Sequence, residues 1–182
     1  MSNIDNKELL EKLQNKDTRK EAFNLVVEKY STQLYYHIRR IVIDHDDTND
    51  LVQDTFIKAW TNLDKFRFDS AIYTWLFRIA TNTCLNFIDR KKRQFTFSAI
   101  NYEDDLASKI ETDVYFDGDE IQKKLQKAIL QLPTKQRLVF NMKYYDELKY
   151  DEMSEILKTS VGGLKASYHH AVTKIEKYLN ED

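Results

Sequence analysis

The chain has 182 residues, 32% charged and 42% hydrophobic, with one cysteine, one proline and three glycines. This excludes a disulfide framework and a cysteine-rich zinc site, and the scarcity of turn residues argues against a sheet or barrel. No apolar run approaches the ~18 residues of a membrane span, and Met1 to Lys16 is too polar for a secretory signal, so a cytoplasmic location is expected.

The net charge of −2 conceals a segregation. Residues 1–100 carry a net +2, residues 101–120 a net −7 and residues 121–182 a net +3. Two mildly basic blocks therefore flank an acidic connector of the kind that is usually solvated.

Residues 1–93 read as helix almost throughout. From Glu21 to Ile43, the residues Phe23, Val26, Val27, Tyr30, Leu34 and Ile38 recur at helical spacing. The run Asp44-His45-Asp46-Asp47-Thr48-Asn49 is rich in cap residues; it ends that helix and starts another reaching about Leu63. On the second helix Val52, Phe56, Trp60 and Leu63 form the expected core stripe. Asp50, Gln53, Asp54 and Ile57 then fall on the outer side. An acidic face with one apolar residue suits a protein partner better than a nucleic acid.

Asp64 to Ser70 reads as a loop, and Lys65, Phe66, Arg67 and Phe68 within it interleave basic and aromatic side chains. A third helix runs from about Ala71 to Lys92. Its core stripe is Ile72, Leu76, Ile79, Ala80, Cys84 and Phe87, which makes Cys84 a small buried residue rather than a reactive thiol. A second line, Trp75, Arg78, Asn82, Asn86, Arg90 and Arg93, is spaced by three or four and shares one face. Amides bond base edges, aromatics stack on unpaired bases and guanidiniums hold phosphates. The same residues also have a plainer reading, with Trp75 and the loop aromatics as ordinary core and the basic helix end matched to the helix dipole. Taken alone, this face favours the plainer reading.

Residues 94–120 lack sustained periodicity and read as a flexible acidic linker. Four short helices follow, at about 119–131, 134–145, 150–157 and 161–179, with Pro133 suited to the first turn of the second. The last two, joined by Lys158-Thr159-Ser160, have the length and turn of a helix-turn-helix. Ser160 is placed as an N-cap, and Val161, Leu164, Tyr168, Val172, Ile175 and Leu179 form the inner stripe. Gly162, Lys165, Ala166, His169 and Thr173 point outward, with His170 beside them. Lys158 stands near the place where such turns usually carry Gly, and a non-Gly residue in a left-handed conformation costs about 1–2 kcal/mol, so the turn is expected to differ slightly. The other reading of these two helices is a plain αα-hairpin in a bundle.

Together these segments resemble the sigma-70 family, and within it the extracytoplasmic-function group, which keeps only regions 2 and 4. The resemblance to region 2 rests on Glu21 to Val27, on Asp50 to Trp60 and on Phe66 to Asn82; that to region 4 rests on Leu132 to Phe140 and on Ser160 to Lys165. It implies an all-α protein of two small helical domains: a region-2-like bundle over residues 1–93 and a region-4-like helix-turn-helix domain over 121–182, joined by the linker 94–120.

The resemblance also implies roles. Asp50, Gln53, Asp54 and Ile57 would bind core RNA polymerase. Lys65, Phe66, Arg67, Phe68, Tyr73, Trp75, Arg78, Asn82, Asn86 and Arg90 would open the −10 element and hold its melted non-template strand. Gly162, Lys165, Ala166, His169, His170 and Thr173 would read the −35 element as double-stranded DNA. Many family members carry Gly where Phe68 stands, which bears on the flipped-base pocket. The acidic linker would serve as a spacer or lie in the RNA path as a phosphate mimic. An anti-sigma factor is a further implied partner, whereas no cofactor, metal or enzymatic activity is expected. The competing reading is a stand-alone helix-turn-helix regulator with an N-terminal sensing or oligomerising domain; it leaves the amide-bearing face of the third helix unexplained.

Overall fold

The computed structural model of the chain describes residues 3–66, 70–95, 102–112 and 120–180. Among them it is helical throughout: α1 Asn3–Gln14, α2 Arg19–Val42, α3 His45–Thr61, a short 3-10 turn at Leu63–Lys65, α4 Ile72–Phe95, α5 Tyr102–Thr112, α6 Glu120–Leu130, α7 Thr134–Tyr144, α8 Tyr150–Leu157 and α9 Val161–Asn180.

Local chemistry sets the boundaries. α2 ends at Ile43, which takes a positive φ of 68° while its N–H bonds the Arg39 carbonyl. Asp44 then caps α3, its carboxylate accepting from the Asp47 N–H at 2.9 Å, as the cap-rich run predicts. Pro133 is the N-cap of α7, one residue earlier than expected. Lys158 does adopt the left-handed conformation (φ 52°, ψ 42°) at the end of α8. Ser160 caps the start of α9, its hydroxyl accepting from the Gly163 N–H at 3.3 Å.

The α2 stripe is buried as expected, with Val26, Leu34 and Ile38 fully enclosed and Val27 half-buried. The α3 stripe is displaced. Thr48, Leu51, Thr55 and Ala59 face the core, whereas Val52 and Phe56 are half-buried and Trp60 is exposed, its ring edge-on to Phe23. Small and β-branched residues line the inside because α3 packs closely between α2 and α4, and the large rings cover the rim.

The main correction concerns the connector. Inside the segment expected to be a flexible linker, α5 forms, and Tyr102, Leu106 and Ile110 join the main core. Their spacing of four is a helical stripe, too short and too interrupted by acids to register as sustained periodicity. Polar contacts hold it as well: Lys109 pairs with Asp44 at 2.9 Å and with Asp105 at 3.5 Å, and Glu111 pairs with Lys127 of α6.

Burial raises the pKa of the Asp44 carboxyl, but the Asp47 N–H and the Lys109 ammonium outweigh it and hold the group below its ordinary value. A carboxyl depressed in the folded state stabilises it above the unfolded pKa, about 3.9, and loses that contribution as pH falls through the folded value. The α5 amides should therefore keep their exchange protection from neutral pH to about pH 5 and lose it below about pH 4. Full protection at pH 3 would mean that the apolar stripe alone holds α5.

Two cores result. The larger unites α1–α5 with residues of α7 and α8, including Leu138, Val139, Met142, Met153 and Ile156. The smaller joins α6, α7 and α9 through Ala128, Ile129, Leu132, Phe140, Ala171 and Ile175. The carboxy-terminal helices are thus seated on the amino-terminal bundle.

Candidate partner and nucleic-acid surfaces

On α3 the outer face is as expected. Asp50, Gln53, Asp54 and Ile57 are all exposed, and Ile57 at 61% is among the most exposed large apolar residues of the chain. These residues line one side of a groove of about 530 Å³, whose other wall is Phe87, Arg90, Lys91 and Gln94 of α4. Lys91 reaches Asp47 at 3.5 Å across it. Arg90, expected among the DNA contacts, therefore stands beside the acidic face, with its guanidinium over the Phe87 ring. An open groove with acidic and basic walls and one apolar rim residue offers charge complementarity to a protein surface.

The face of α4 is split. Asn82, Asn86, Arg90 and Arg93 are exposed and Arg78 is half-buried. Trp75, however, is 5% exposed and stacks on Phe66, itself 4% exposed, with ring centroids 4.7 Å apart. Both were expected to meet DNA, and both belong to the core. The helical spacing of the line was right, but α4 is covered by α2, α3 and α8, so its buried arc is wide enough to include Trp75. Lys65 is exposed, its ammonium bonding the Asn62 side chain at 3.1 Å. Arg67 and Phe68 lie outside the described residues.

Tyr73 is half-buried and lies beside Phe77, ring centroids 4.7 Å apart. Its hydroxyl pKa is raised far above the ordinary value, first by burial and then by the carboxylates of Glu152 and Asp146. Burial likewise pushes the Cys84 thiol far up, in line with its place in the core.

On α9, Gly162, Lys165, Ala166, His169, His170 and Thr173 are all exposed and share one side. The Lys165 ammonium lies over the Tyr150 ring of α8 at 5.7 Å. The Thr173 hydroxyl donates to the His169 carbonyl. The two glycines differ. A Cβ on Gly163 would crowd Ser160 and Thr159 at 3.3 Å, so that glycine serves the cap. A Cβ on Gly162 would meet nothing within 4 Å, so the fold does not require glycine there. Bare backbone at the exposed N-terminus of a recognition-type helix allows close approach to phosphate.

The arrangement matches known proteins in sequence. Residues 26–94 match the sigma-70 region 2 family and residues 122–175 match sigma-70, region 4. The chain is 34% identical to the RNA polymerase sigma-H factor of Pseudomonas aeruginosa, covering 94% of this chain and 92% of that one. It is 32% identical to the ECF RNA polymerase sigma factor SigW of Bacillus subtilis, covering 88% and 90%. The chain belongs to the extracytoplasmic-function sigma factors of the sigma-70 family. Two solved sigma-factor structures share the fold. One is the sigma factor RpoE in complex with the anti-sigma factor NepR from Bartonella quintana, with TM-score 0.69 and 22% identity over 88% of this chain and 98% of that one. The other is CnrH in complex with the cytosolic domain of CnrY, with TM-score 0.70 and 24% identity over 97% and 98%. The family is one of transcription-initiation factors rather than enzymes. No helix among the described residues is long and apolar enough to cross a membrane.

The seam between the two halves of this sigma factor had no counterpart in the sequence reading. His37 and Arg40 of α2 meet Asp146 and Asn141 from α7 and the turn after it. The one sequence signal was a histidine, His37, on the buried side of an otherwise apolar stripe.

Proposed function

We propose that this chain binds core RNA polymerase through the outer face of α3, centred on Asp50, Gln53, Asp54 and Ile57, and directs initiation at a restricted promoter set. Residues 1–93 supply polymerase binding and −10 opening, residues 94–120 connect, and residues 121–182 read the −35 element. Non-template −10 DNA lies along Lys65, Tyr73, Arg78, Asn82 and Asn86, joined by Arg67 and Phe68, with Arg90 at the border with the polymerase face. Phe66 and Trp75 serve this surface as buried supports. The −35 duplex meets Gly162, Lys165, Ala166, His169, His170 and Thr173. The protein acts in the cytoplasm, without enzymatic activity or cofactor. An anti-sigma factor is a fitting further partner, since both solved relatives described above carry such a protein or a cytosolic domain in their complexes.

The observation that carries the reading is the pairing of two different exposed surfaces on one scaffold. One is an acidic face with the prominent Ile57 on α3; the other is a line of amides and a guanidinium on α4. A stand-alone operator-binding regulator has use for the α9 face only. Added to core polymerase, the purified chain should co-elute with it and direct run-off transcription. Tight operator binding by the chain alone, with core polymerase unaffected, would replace this reading with the regulator. Asp54→Lys reverses one exposed charge and should weaken core binding about tenfold or more, at unchanged helicity by circular dichroism. Unchanged affinity would mean that another face holds the polymerase.

A further inference from the structure

The exposed ammonium of Lys165 rests on a different helix from its own. Its Nζ lies 5.7 Å from the ring centroid of Tyr150, the first residue of α8. Among the described residues the Lys165 side chain makes no hydrogen bond or ion pair, so the ring is what it rests on.

The ring is well fixed. Tyr150 is half-buried and packs against the main core. The turn before it is closed by the Glu152 carboxylate, which accepts from the Lys149 N–H at 2.8 Å, so the ring projects from the capped start of a helix. A second ammonium, that of Lys143 at the end of α7, lies over the same ring at 5.2 Å. Lys143 also donates to the Leu148 carbonyl at 3.1 Å. One lysine thus has a backbone bond as well as the ring, whereas Lys165 has the ring alone.

This difference matters because of what lysine is. A free lysine on a helix face is a hydrated point charge on a flexible four-carbon stem. It reaches phosphate oxygens readily, and phosphate contacts carry no sequence information. The negative face of an aromatic ring attracts the ammonium and narrows the range of the stem. A side chain already ordered before it meets DNA loses less freedom on binding, and affinity rises without a new contact.

The next step rests on the reading of the outer α9 face as the −35 surface. We infer that Tyr150 is a positioning residue for −35 recognition: its ring holds the Lys165 ammonium in the arrangement that meets a base edge and keeps it from neighbouring phosphates. Tyr150 acts through Lys165, and the ring face is the part of it that matters.

Assembled with core polymerase, the Tyr150→Leu chain should bind a promoter with a matched −35 element about two- to fivefold more weakly than wild type, the range of an exposed cation–ring contact. Its binding to a scrambled −35 element should be unchanged. Tyr150→Phe keeps the ring and should behave as wild type. In a Lys165→Ala background, Tyr150→Leu should cost nothing further. In nuclear magnetic resonance of the free chain, the Lys165 ε-methylene protons should lie upfield of free lysine in the wild type and in Tyr150→Phe, and return toward it in Tyr150→Leu. Equal losses on matched and scrambled promoters for Tyr150→Leu would make the ring a structural residue only. A loss in Tyr150→Phe as large as in Tyr150→Leu would make the hydroxyl a DNA contact. Either result overturns the positioning role. Should Tyr150→Leu lose its helical signal, the wild-type spectrum decides, and ε-protons at the free-lysine position overturn the role. The −35 reading fails differently: a wild type without preference for the matched element refutes that reading and the positioning role with it, whereas failure of the positioning role alone leaves the wild-type preference intact.

Discussion

Trp75→Ala should cost about 3–5 kcal/mol of folding stability, the usual penalty for truncating a large buried aromatic. Trp75 is 5% exposed and stacked on Phe66, so the substitution leaves a cavity and removes the ring on which Phe66 rests. The denaturant midpoint should fall with little change in slope. At temperatures where the variant remains folded, closed-complex formation should persist, and permanganate reactivity of the promoter bubble should drop because Phe66 loses its support beneath the proposed −10 surface. Asn82→Ala offers the contrast. It removes an exposed amide, should leave the midpoint almost unchanged, and should impair opening directly. If Trp75→Ala were neutral for stability and defective only in opening, the ring would belong to the DNA surface after all.

The second large effect lies on α9. Lys165→Ala and His169→Ala should each weaken binding to a −35-bearing promoter by about 1–3 kcal/mol per lost base contact, a loss confined to sequences that keep the contacted base. Gly162→Ala should behave in the opposite sense for stability. A Cβ there meets open space, so the helix should gain up to about 1 kcal/mol while duplex binding falls. Binding titrations on matched and scrambled −35 sequences, paired with thermal melts, separate the two. Equal losses on both sequences for Lys165→Ala would make it a phosphate contact rather than a base reader.

Much of this was legible beforehand, and the pattern of failures is physical. Long helices announce themselves by periodicity and by caps: the α2 stripe and the Asp44 and Ser160 caps are local properties of a few neighbouring residues. The position of the helix-turn-helix turn at Lys158 was legible from the spacing, but its left-handed conformation was not, since the turn was expected to differ to avoid that cost. The exposed sets on α3 and α9 could be named because the neighbours of each helix still leave one polar side free, even where, as on α3, the inner stripe was misplaced.

Three features could not be read so. α4 has partners on several sides, and periodicity does not say how wide a buried arc will be; the residues alone favoured Trp75 as core, and the family resemblance moved it to the DNA surface. α5 has a three-residue apolar stripe, Tyr102, Leu106 and Ile110, whose worth depends on the core waiting for it. The seam joins residues about a hundred positions apart, such as His37 and Asp146, and no local pattern encodes that meeting. Each miss is a case in which tertiary packing assigned the role.

The solitary cysteine has a practical reach beyond its place in α4. Thiol reagents attack the thiolate, and Cys84 is fully enclosed with its proton held far more tightly than usual. Maleimide dyes and spin labels will therefore pass over the native chain. A cysteine introduced on the α3 rim and another on the outer side of α9 can be tagged without first removing Cys84. The motion of one half against the other thus becomes measurable, molecule by molecule, in an otherwise unaltered background.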